Sequence, residues 1–211
     1  MAPMMPARDR QGVRYRDVSA VVLRGYDRAM THQVPAAGDE ASTLVAALER
    51  NRRTFDWKCS GLGADGLRAT VGASSMTLAG LMKHLALVED YYFTFQLHER
   101  PMPPPWDGVD FDADPSWEWR TALDDDPEQL RDLWLAAVRR SRAAIDEALA
   151  DGGLGRVASR TWPDGDTFTL RRFLVDLIEE YARHTGHADL LREAVDGETG
   201  EGPPTDFPAV D

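Results

Sequence analysis

The sequence predicts an all-α protein, an antiparallel four-helix bundle with a long connection between its second and third helices. Apolar residues recur at helical spacing in four long segments, and Gly-, Pro- and Asp-rich breaks separate these segments. No segment shows a competing pattern of alternating polar and apolar residues. The long connection, residues 99–125, is sufficient to cross the bundle from one end to the other.

The first two predicted helices have clear signals at their ends. The first runs from about Asp39 to Lys58, and Gly61 follows it. The second begins after Thr77, whose hydroxyl is a suitable N-cap, and Pro101 prevents its extension beyond about residue 98. Both segments are therefore predicted as amphipathic helices of several turns.

The third and fourth predicted helices are delimited in the same way. Asp126-Pro127 combines an N-cap with a proline at the first helical position, and Gly152 follows the last apolar residue of the third helix. The fourth helix starts near Thr169, and Gly197 occupies the position of a C-terminal cap. Between these two helices, residues 157–169 predict a short hairpin or an ordered loop.

Composition favours one globular domain with two tails. The 211 residues are 43% hydrophobic and 28% charged, which is ordinary for a folded domain. Residues 1–36 carry six arginines against three aspartates and are predicted to be a poorly ordered basic extension. The bundle is predicted over residues 37–197, and a mobile tail is predicted over residues 198–211.

Charge and cysteine usage exclude several classes of function. The net charge of −12 argues against nucleic acid and anionic membranes as partners, and no apolar run is long enough to span a bilayer. A single cysteine, Cys59, excludes an internal disulfide framework and a multi-cysteine zinc site. We therefore expect a cytoplasmic protein, and dimerisation through bundle faces remains open.

The fourth predicted helix carries a polar interruption in an apolar stripe. Glu180, His184 and His187 follow one another at steps of four and three residues on the face that also presents Leu177 and Leu191. Buried polar groups without partners are costly, so two imidazoles and a carboxylate on a core face need a common explanation. A divalent metal ion is the simplest one.

His84 is the predicted third ligand. It lies on the inward face of the second helix, and two packed helices can share one ion. The predicted metal ligands are thus His84, His184 and His187, which would leave one position open for a reactant. Glu180 remains the alternative to His187 as a ligand, or it orients a ligand or acts in catalysis. His32 and His98 are expected to face solvent.

Two segments resemble the DinB-like superfamily, in its actinobacterial branch of unknown function. The first is MTLAGLMKHLALVE, residues 76–89, and the second is EEYARHTGHADLLRE, residues 179–193. The resemblance covers about residues 37–197. It implies a four-helix bundle with a site for zinc, nickel or a similar ion, and His84 matches the pattern directly. Many superfamily members space the last two ligands four residues apart, whereas the spacing between His184 and His187 is three.

The resemblance also implies a class of reaction. Relatives include thiol-dependent S-transferases that use mycothiol or bacillithiol, and the mycothiol-dependent maleylpyruvate isomerase. It therefore implies a metal that activates a low-molecular-weight thiol, which then attacks a small-molecule electrophile. Two alternatives remain. One is a metal-dependent hydrolase that uses metal-bound water with Glu180 as general base, and the other is a non-catalytic bundle that binds a metal or small ligand in a stress response.

Overall fold

The computed structural model describes residues 34–162 and 164–210, and its regular structure is helical. One isolated antiparallel bridge, Val157 with Thr169, marks the segment that was predicted as a hairpin or an ordered loop. The predicted basic extension, with His32, lies almost entirely outside the described residues. The α-helices are α1 Glu40–Cys59, α2 Ala64–Arg68, α3 Leu78–Glu89, α4 Trp117–Thr121, α5 Pro127–Ala150 and α6 Leu170–Asp196.

The predicted end signals form the caps of the long helices. The Asp39 side chain accepts a hydrogen bond from the Ser42 backbone N–H at the start of α1, and the Asp126 side chain caps α5 in the same way. Thr77 accepts from the Gly80 N–H at the start of α3. Gly197 ends α6 in the left-handed conformation, with φ 80°. These helix boundaries are therefore set by local chemistry.

The helix that begins at α3 changes its winding half-way along. Residues Asp90–Leu97 continue it as a π-helix, in which each turn contains an additional residue. Two ion pairs hold the junction: the pair of Arg52 with Glu89 is fully buried, and in the pair of Arg140 with Asp90 only the carboxylate is buried. Because such segments are rare and are found preferentially at functional sites, this one draws attention to the side chains that it presents.

The long connection from residue 99 to residue 125 contains regular turns of its own. A 3₁₀ turn spans Trp106–Gly108, and α4 follows it. The Trp106 ring is buried, and its indole N–H donates to Asp90 Oδ2 at 2.9 Å. The connection is thus fixed to the π-helical continuation of α3.

Two pairs of long helices run in the same direction. Glu40 pairs with Arg171 near the starts of α1 and α6, and Lys58 pairs with Asp189 near their ends. Along α3 and α5, Asp90 meets Arg140, and His98 further on meets the carbonyl of Ala144. A parallel arrangement of α3 and α5 requires the chain to return along the molecule, which explains the length of the connection between them.

The other two pairings are antiparallel. His84 of α3 contacts His184 of α6, whereas Tyr92, later in the π-helical continuation of α3, contacts Phe173, earlier in α6. The helices α1 and α5 are also antiparallel, as shown by the ion pairs from Glu49 to Arg142 and from Asp56 to Arg131. Two of the four pairings are therefore parallel, so the antiparallel arrangement predicted from the sequence describes only the other two.

A buried polar network fixes the register of α3 against α6. Arg52 donates through Nε and Nη2 to the two carboxylate oxygens of Glu89, at 2.8 and 2.6 Å, and neither side chain is exposed. Tyr181 Oη donates to Glu89 Oε1 at 2.8 Å and accepts from Trp134 Nε1 at 2.8 Å. Burial, followed by the charge of Glu89, raises the pKa of Tyr181, so this phenol remains protonated.

The C-terminal tail lies along α1. Arg53 donates to the backbone carbonyls of Pro204, Phe207 and Pro208, and Val210 is buried. The mobility of residues 198–211 stays a prediction. None of the helices in the described residues is long and apolar enough to cross a lipid bilayer.

Candidate metal centre

Three side chains with metal-binding atoms converge between α3 and α6. One ligand atom from each of His84, Glu180 and His184 lies within 4.8 Å of the others, a cluster found among the described residues. His84 comes from α3, nearly two turns before its π-helical continuation, and the other two residues are one turn apart on α6. The structure thus brings together His84 and His184, as predicted, with the carboxylate that was the alternative third ligand.

Both ring nitrogens of His184 are engaged. Its Nε2 is 3.2 Å from Glu180 Oε2, and its Nδ1 is 3.4 Å from Nδ1 of His187. Burial, followed by the proximity of His84 and His187, lowers the pKa of His184 to about 4. The imidazole is therefore neutral at physiological pH, which is the form that binds metal ions.

His187 lies beside the cluster without joining it. Its ring centroid is 5.4 Å from that of His184, and its side chain lines a small cavity with Ser74 and Met76. This position is suited to holding the His184 ring in place through the contact between the two Nδ1 atoms. His187 as a metal ligand stays a prediction.

Glu118 of α4 is a site residue that sequence reasoning missed. Its Oε1 is 3.3 Å from Nδ1 of His84, and its side chain is only 7% exposed. No hydrogen-bond partner is found for its Oε2 within the described part of the chain. A carboxylate that accepts from Nδ1 selects the tautomer of His84 that has its lone pair on Nε2. No periodic pattern marks Glu118, because it reaches His84 only through the fold of the connection.

The ring of His84 is also held from one side. The Trp119 indole stacks on it, with centroids 4.6 Å apart and planes inclined by 24°. Gly80 makes room for this indole, since a Cβ atom at that position would lie 2.9 Å from Trp119 Cε3. Stacking against Trp119 and the contact with Glu118 therefore fix the orientation of the His84 ring.

The cluster has the chemistry of a divalent metal site. Two imidazole nitrogens and one carboxylate oxygen are a donor set that suits zinc and neighbouring transition metals. His184 is held neutral, and Glu118 supplies the outer carboxylate that metal-ligating histidines commonly have. The residues present thus fit a divalent cation with at least one position left for a reactant.

A cavity of about 580 Å³ adjoins the cluster, with His84 and Glu180 in its wall. Most of the remaining wall is aromatic and comes from the π-helical segment and the long connection. Burial, followed by Asp176 and Glu180, raises the pKa of Tyr92 in this wall to about 12, so the phenol remains neutral. Cys59 lines neither this cavity nor the cluster, and its burial raises the pKa of its thiol, which disfavours the reactive thiolate.

The contact between Glu118 and His84 leads to a prediction about metal affinity. Glu118→Gln should weaken binding of a divalent metal by about 10- to 100-fold, because the amide is a poorer acceptor for the His84 Nδ1–H. Competition with a metal-sensitive chelator measures the effect, with Glu128→Gln, on an exposed turn of α5, as the control. Equal affinities of the Glu118→Gln and wild-type proteins would show that Glu118 does not support a metal ligand.

Comparison with models of known protein families identifies the family of the chain. The mycothiol-S-transferase model matches residues 43–197, which is most of the chain. The chain therefore belongs to the mycothiol-S-transferase family, a DinB-like family, and the resemblance seen in the sequence is confirmed. No curated protein matches the chain.

Proposed function

We propose that the protein is a metal-dependent S-transferase that joins a mycothiol-type thiol to a small-molecule electrophile. The observation that carries the proposal is the cluster of His84, Glu180 and His184 at the wall of a cavity, in a chain of the mycothiol-S-transferase family. A bound divalent cation supplies charge that lowers the pKa of a thiol beside it and so favours the nucleophilic thiolate.

The proposed ligands are His84, His184 and Glu180. His84 binds through Nε2 while its Nδ1–H donates to Glu118, and His184 binds through Nε2 while its Nδ1–H donates to His187. Glu180 replaces His187 in the ligand set that the sequence predicted, and its proximity to His184 Nε2 supports this assignment. Zinc and nickel are the proposed ions, since both accept nitrogen and oxygen ligands.

The chain's own groups have positioning and shielding roles. Trp119 and Glu118 fix the His84 ring, and the register set by Glu89 and Tyr181 places α3 against α6. The aromatic wall beside the cluster excludes water from the electrophile. Orientation of the thiol and the electrophile toward each other accounts for the proposed rate enhancement.

The decisive experiment combines metal content with thiol-consuming turnover. We expect the purified protein to retain a divalent metal and to consume mycothiol in the presence of an electrophile. Removal of the metal should lower kcat/KM by at least about 100-fold, and reloading with zinc or nickel should restore it. His84→Ala should lose both metal and turnover.

Cys59→Ala is the matched control, since it removes the chain's one cysteine while leaving the cluster intact. It should keep full turnover. Retained metal without thiol consumption would contradict the proposal and favour a binding protein. Hydrolysis that proceeds equally well without any thiol would contradict it in favour of the hydrolase.

The wider organisation is part of the same proposal. The four long helices form one bundle over residues 37–197, with the directions described above, and the protein acts in the cytoplasm, where a small thiol remains reduced. A homodimer through the bundle faces is compatible with it, and sedimentation would establish the oligomeric state.

A further inference from the structure

One face of α3 carries contacts with α4. Lys83 and His84 lie three and four residues after Gly80, so all three are on the same side of the helix. On this side the Trp119 indole occupies the space beside Gly80. Glu118 Oε1 lies 3.3 Å from Nδ1 of His84. Because Lys83 shares this face with both contacts, its own attachment to α4 bears on the metal centre.

The ammonium group of Lys83 is buried and has three partners. The side chain is only 4% exposed. Its Nζ donates to Thr121 Oγ1 at 2.8 Å and to Asp125 Oδ2. The same Nζ lies 4.4 Å from the centroid of the Trp117 ring. A buried charge is costly without partners, and a carboxylate, a hydroxyl and an aromatic face together compensate for this one.

These contacts attach both ends of α4 to α3. Trp117 is the first residue of α4 and Thr121 is the last. The two residues that hold the proposed ligand on α3, Glu118 and Trp119, lie between them. Thr121 Oγ1 also donates to the carbonyl of Trp117 at 2.7 Å, so its proton is used there and a lone pair is left for the ammonium group.

The position of α4 depends on such tertiary contacts. An isolated helix shorter than about 12 residues is marginal in water, and α4 has five residues. A cavity of about 460 Å³ also adjoins its attachment, with Lys83, Trp117 and Thr121 in the wall. Since a cavity provides no packing, the attachment of these residues depends more on the polar contacts of the ammonium group.

We propose that Lys83 is a positioning residue of the metal centre, which acts on His84 through α4. Its ammonium group keeps α4 in place, and Glu118 then holds the His84 ring in the tautomer that has its lone pair on Nε2. The inference rests on the proposed function for the cation that this nitrogen would bind. It adds a residue that contacts α4 and not the three proposed ligand side chains, yet sets the state of one of them.

The charge of Lys83 distinguishes this role from an electrostatic one. A positive charge next to a metal ligand repels a cation, so loss of the charge alone would strengthen metal binding. Loss of the attachment of α4 would weaken it. Lys83→Met keeps an unbranched side chain and should therefore weaken binding of zinc by about 10-fold in chelator competition. Unchanged or tighter binding of zinc would overturn the inference.

The tautomer of His84 tests the inference without a metal. In the metal-free protein at about pH 8, ¹H–¹⁵N spectra of the histidine rings show which nitrogen carries the proton, and His84→Gln assigns the signals. We expect the proton on Nδ1 in the unmodified protein. In Lys83→Met, the ratio of the Nε2–H to the Nδ1–H form should rise by at least about 3-fold, as expected from loss of one hydrogen bond. A mixture of tautomers already present in the unmodified protein, or an unchanged ratio in Lys83→Met, would overturn the inference.

Variants of Thr121 reach the same contact from α4. Thr121→Val removes the oxygen that accepts from Lys83 and should shift the tautomer in the same direction, whereas Thr121→Ser keeps that oxygen and should not. Lys58→Met is the matched control for Lys83→Met. Lys58 is also buried, with an ion pair to Asp189 at 3.0 Å and its ammonium group over the Trp57 ring. If Lys58→Met shifts the tautomer as much as Lys83→Met, general loosening of the bundle explains the effect and the inference is overturned.

A second background tests whether Lys83 acts through Glu118. In Glu118→Ala, addition of Lys83→Met should change zinc affinity by less than about 3-fold, because the contact that it would disturb is already absent. A further 10-fold loss, about the product of independent effects, would overturn the inference. The two proposals fail separately. A shifted tautomer in a protein that binds no metal would contradict the proposed function and support the role of Lys83, whereas metal-dependent thiol transfer with an unchanged tautomer would do the reverse.

Discussion

Replacement of Glu180 by alanine is expected to weaken metal binding by more than about 100-fold, whereas His187→Ala should weaken it by only about 10-fold. The reason is the difference in position: Glu180 belongs to the cluster of three ligand atoms, and His187 contacts the cluster through His184. Loss of a ligand removes a direct bond to the ion, but loss of an outer group changes only the orientation of a ligand. Metal content after dialysis and chelator competition measure both effects.

Glu179→Ala is the matched control for Glu180→Ala, since it removes an exposed carboxylate from the neighbouring position of α6. It should bind metal like the unmodified protein. If His187→Ala loses its metal while Glu180→Ala keeps it, the three-histidine ligand set predicted from the sequence is correct and the proposed set is wrong.

The largest loss of stability is expected from Arg52→Met. This substitution keeps much of the side-chain volume but leaves the carboxylate of Glu89 buried without its cationic partner. Breaking a fully buried ion pair in this way costs about 3–5 kcal/mol. Urea denaturation followed by circular dichroism should show the corresponding decrease in the free energy of unfolding.

Two further variants separate the charge effect from lost packing. Arg171→Ala removes the exposed ion pair with Glu40 and should leave the unfolding midpoint unchanged. Arg52→Met combined with Glu89→Gln should recover much of the lost stability, because the uncompensated buried charge is gone while Tyr181 keeps an acceptor. If the double variant is as unstable as Arg52→Met, packing rather than charge explains the loss.

Sequence patterns predicted the ends of the long helices because helix caps are local. Asp39, Thr77, Asp126 and Gly197 act within one turn of their own position, so their roles can be deduced without knowledge of the fold. The relative directions of the helices could not be predicted from such local patterns. They depend on the path of residues 99–125, which no periodic pattern describes.

The π-helical segment explains why the prediction for the His98 side chain was wrong. His98 was expected to face solvent, yet its side chain is 6% exposed and its Nε2 lies 2.9 Å from the carbonyl oxygen of Ala144. The expectation assumed α-helical spacing throughout. Because Asp90–Leu97 is more loosely wound, the faces of residues near its end are rotated relative to that assumption.

The candidate metal centre was predictable in part. Its histidines could be found because His84 and His184 lie on apolar stripes, but residues at steps of three and four on one stripe are equivalent in such a pattern. Only the position of α3 shows that Glu180, and not His187, lies within the cluster.

The junction at the end of α3 separates a proposed metal ligand from several aromatic residues of the cavity wall. His84 precedes it, whereas Tyr91, Tyr92 and Phe95 follow it. The paired acids Glu89 and Asp90 anchor the junction itself, so an insertion or deletion further along can rotate the cavity wall without displacing the histidine. Under the proposed function, we therefore expect changes in this part of the cavity wall to alter the choice of electrophile without moving the proposed ligand His84.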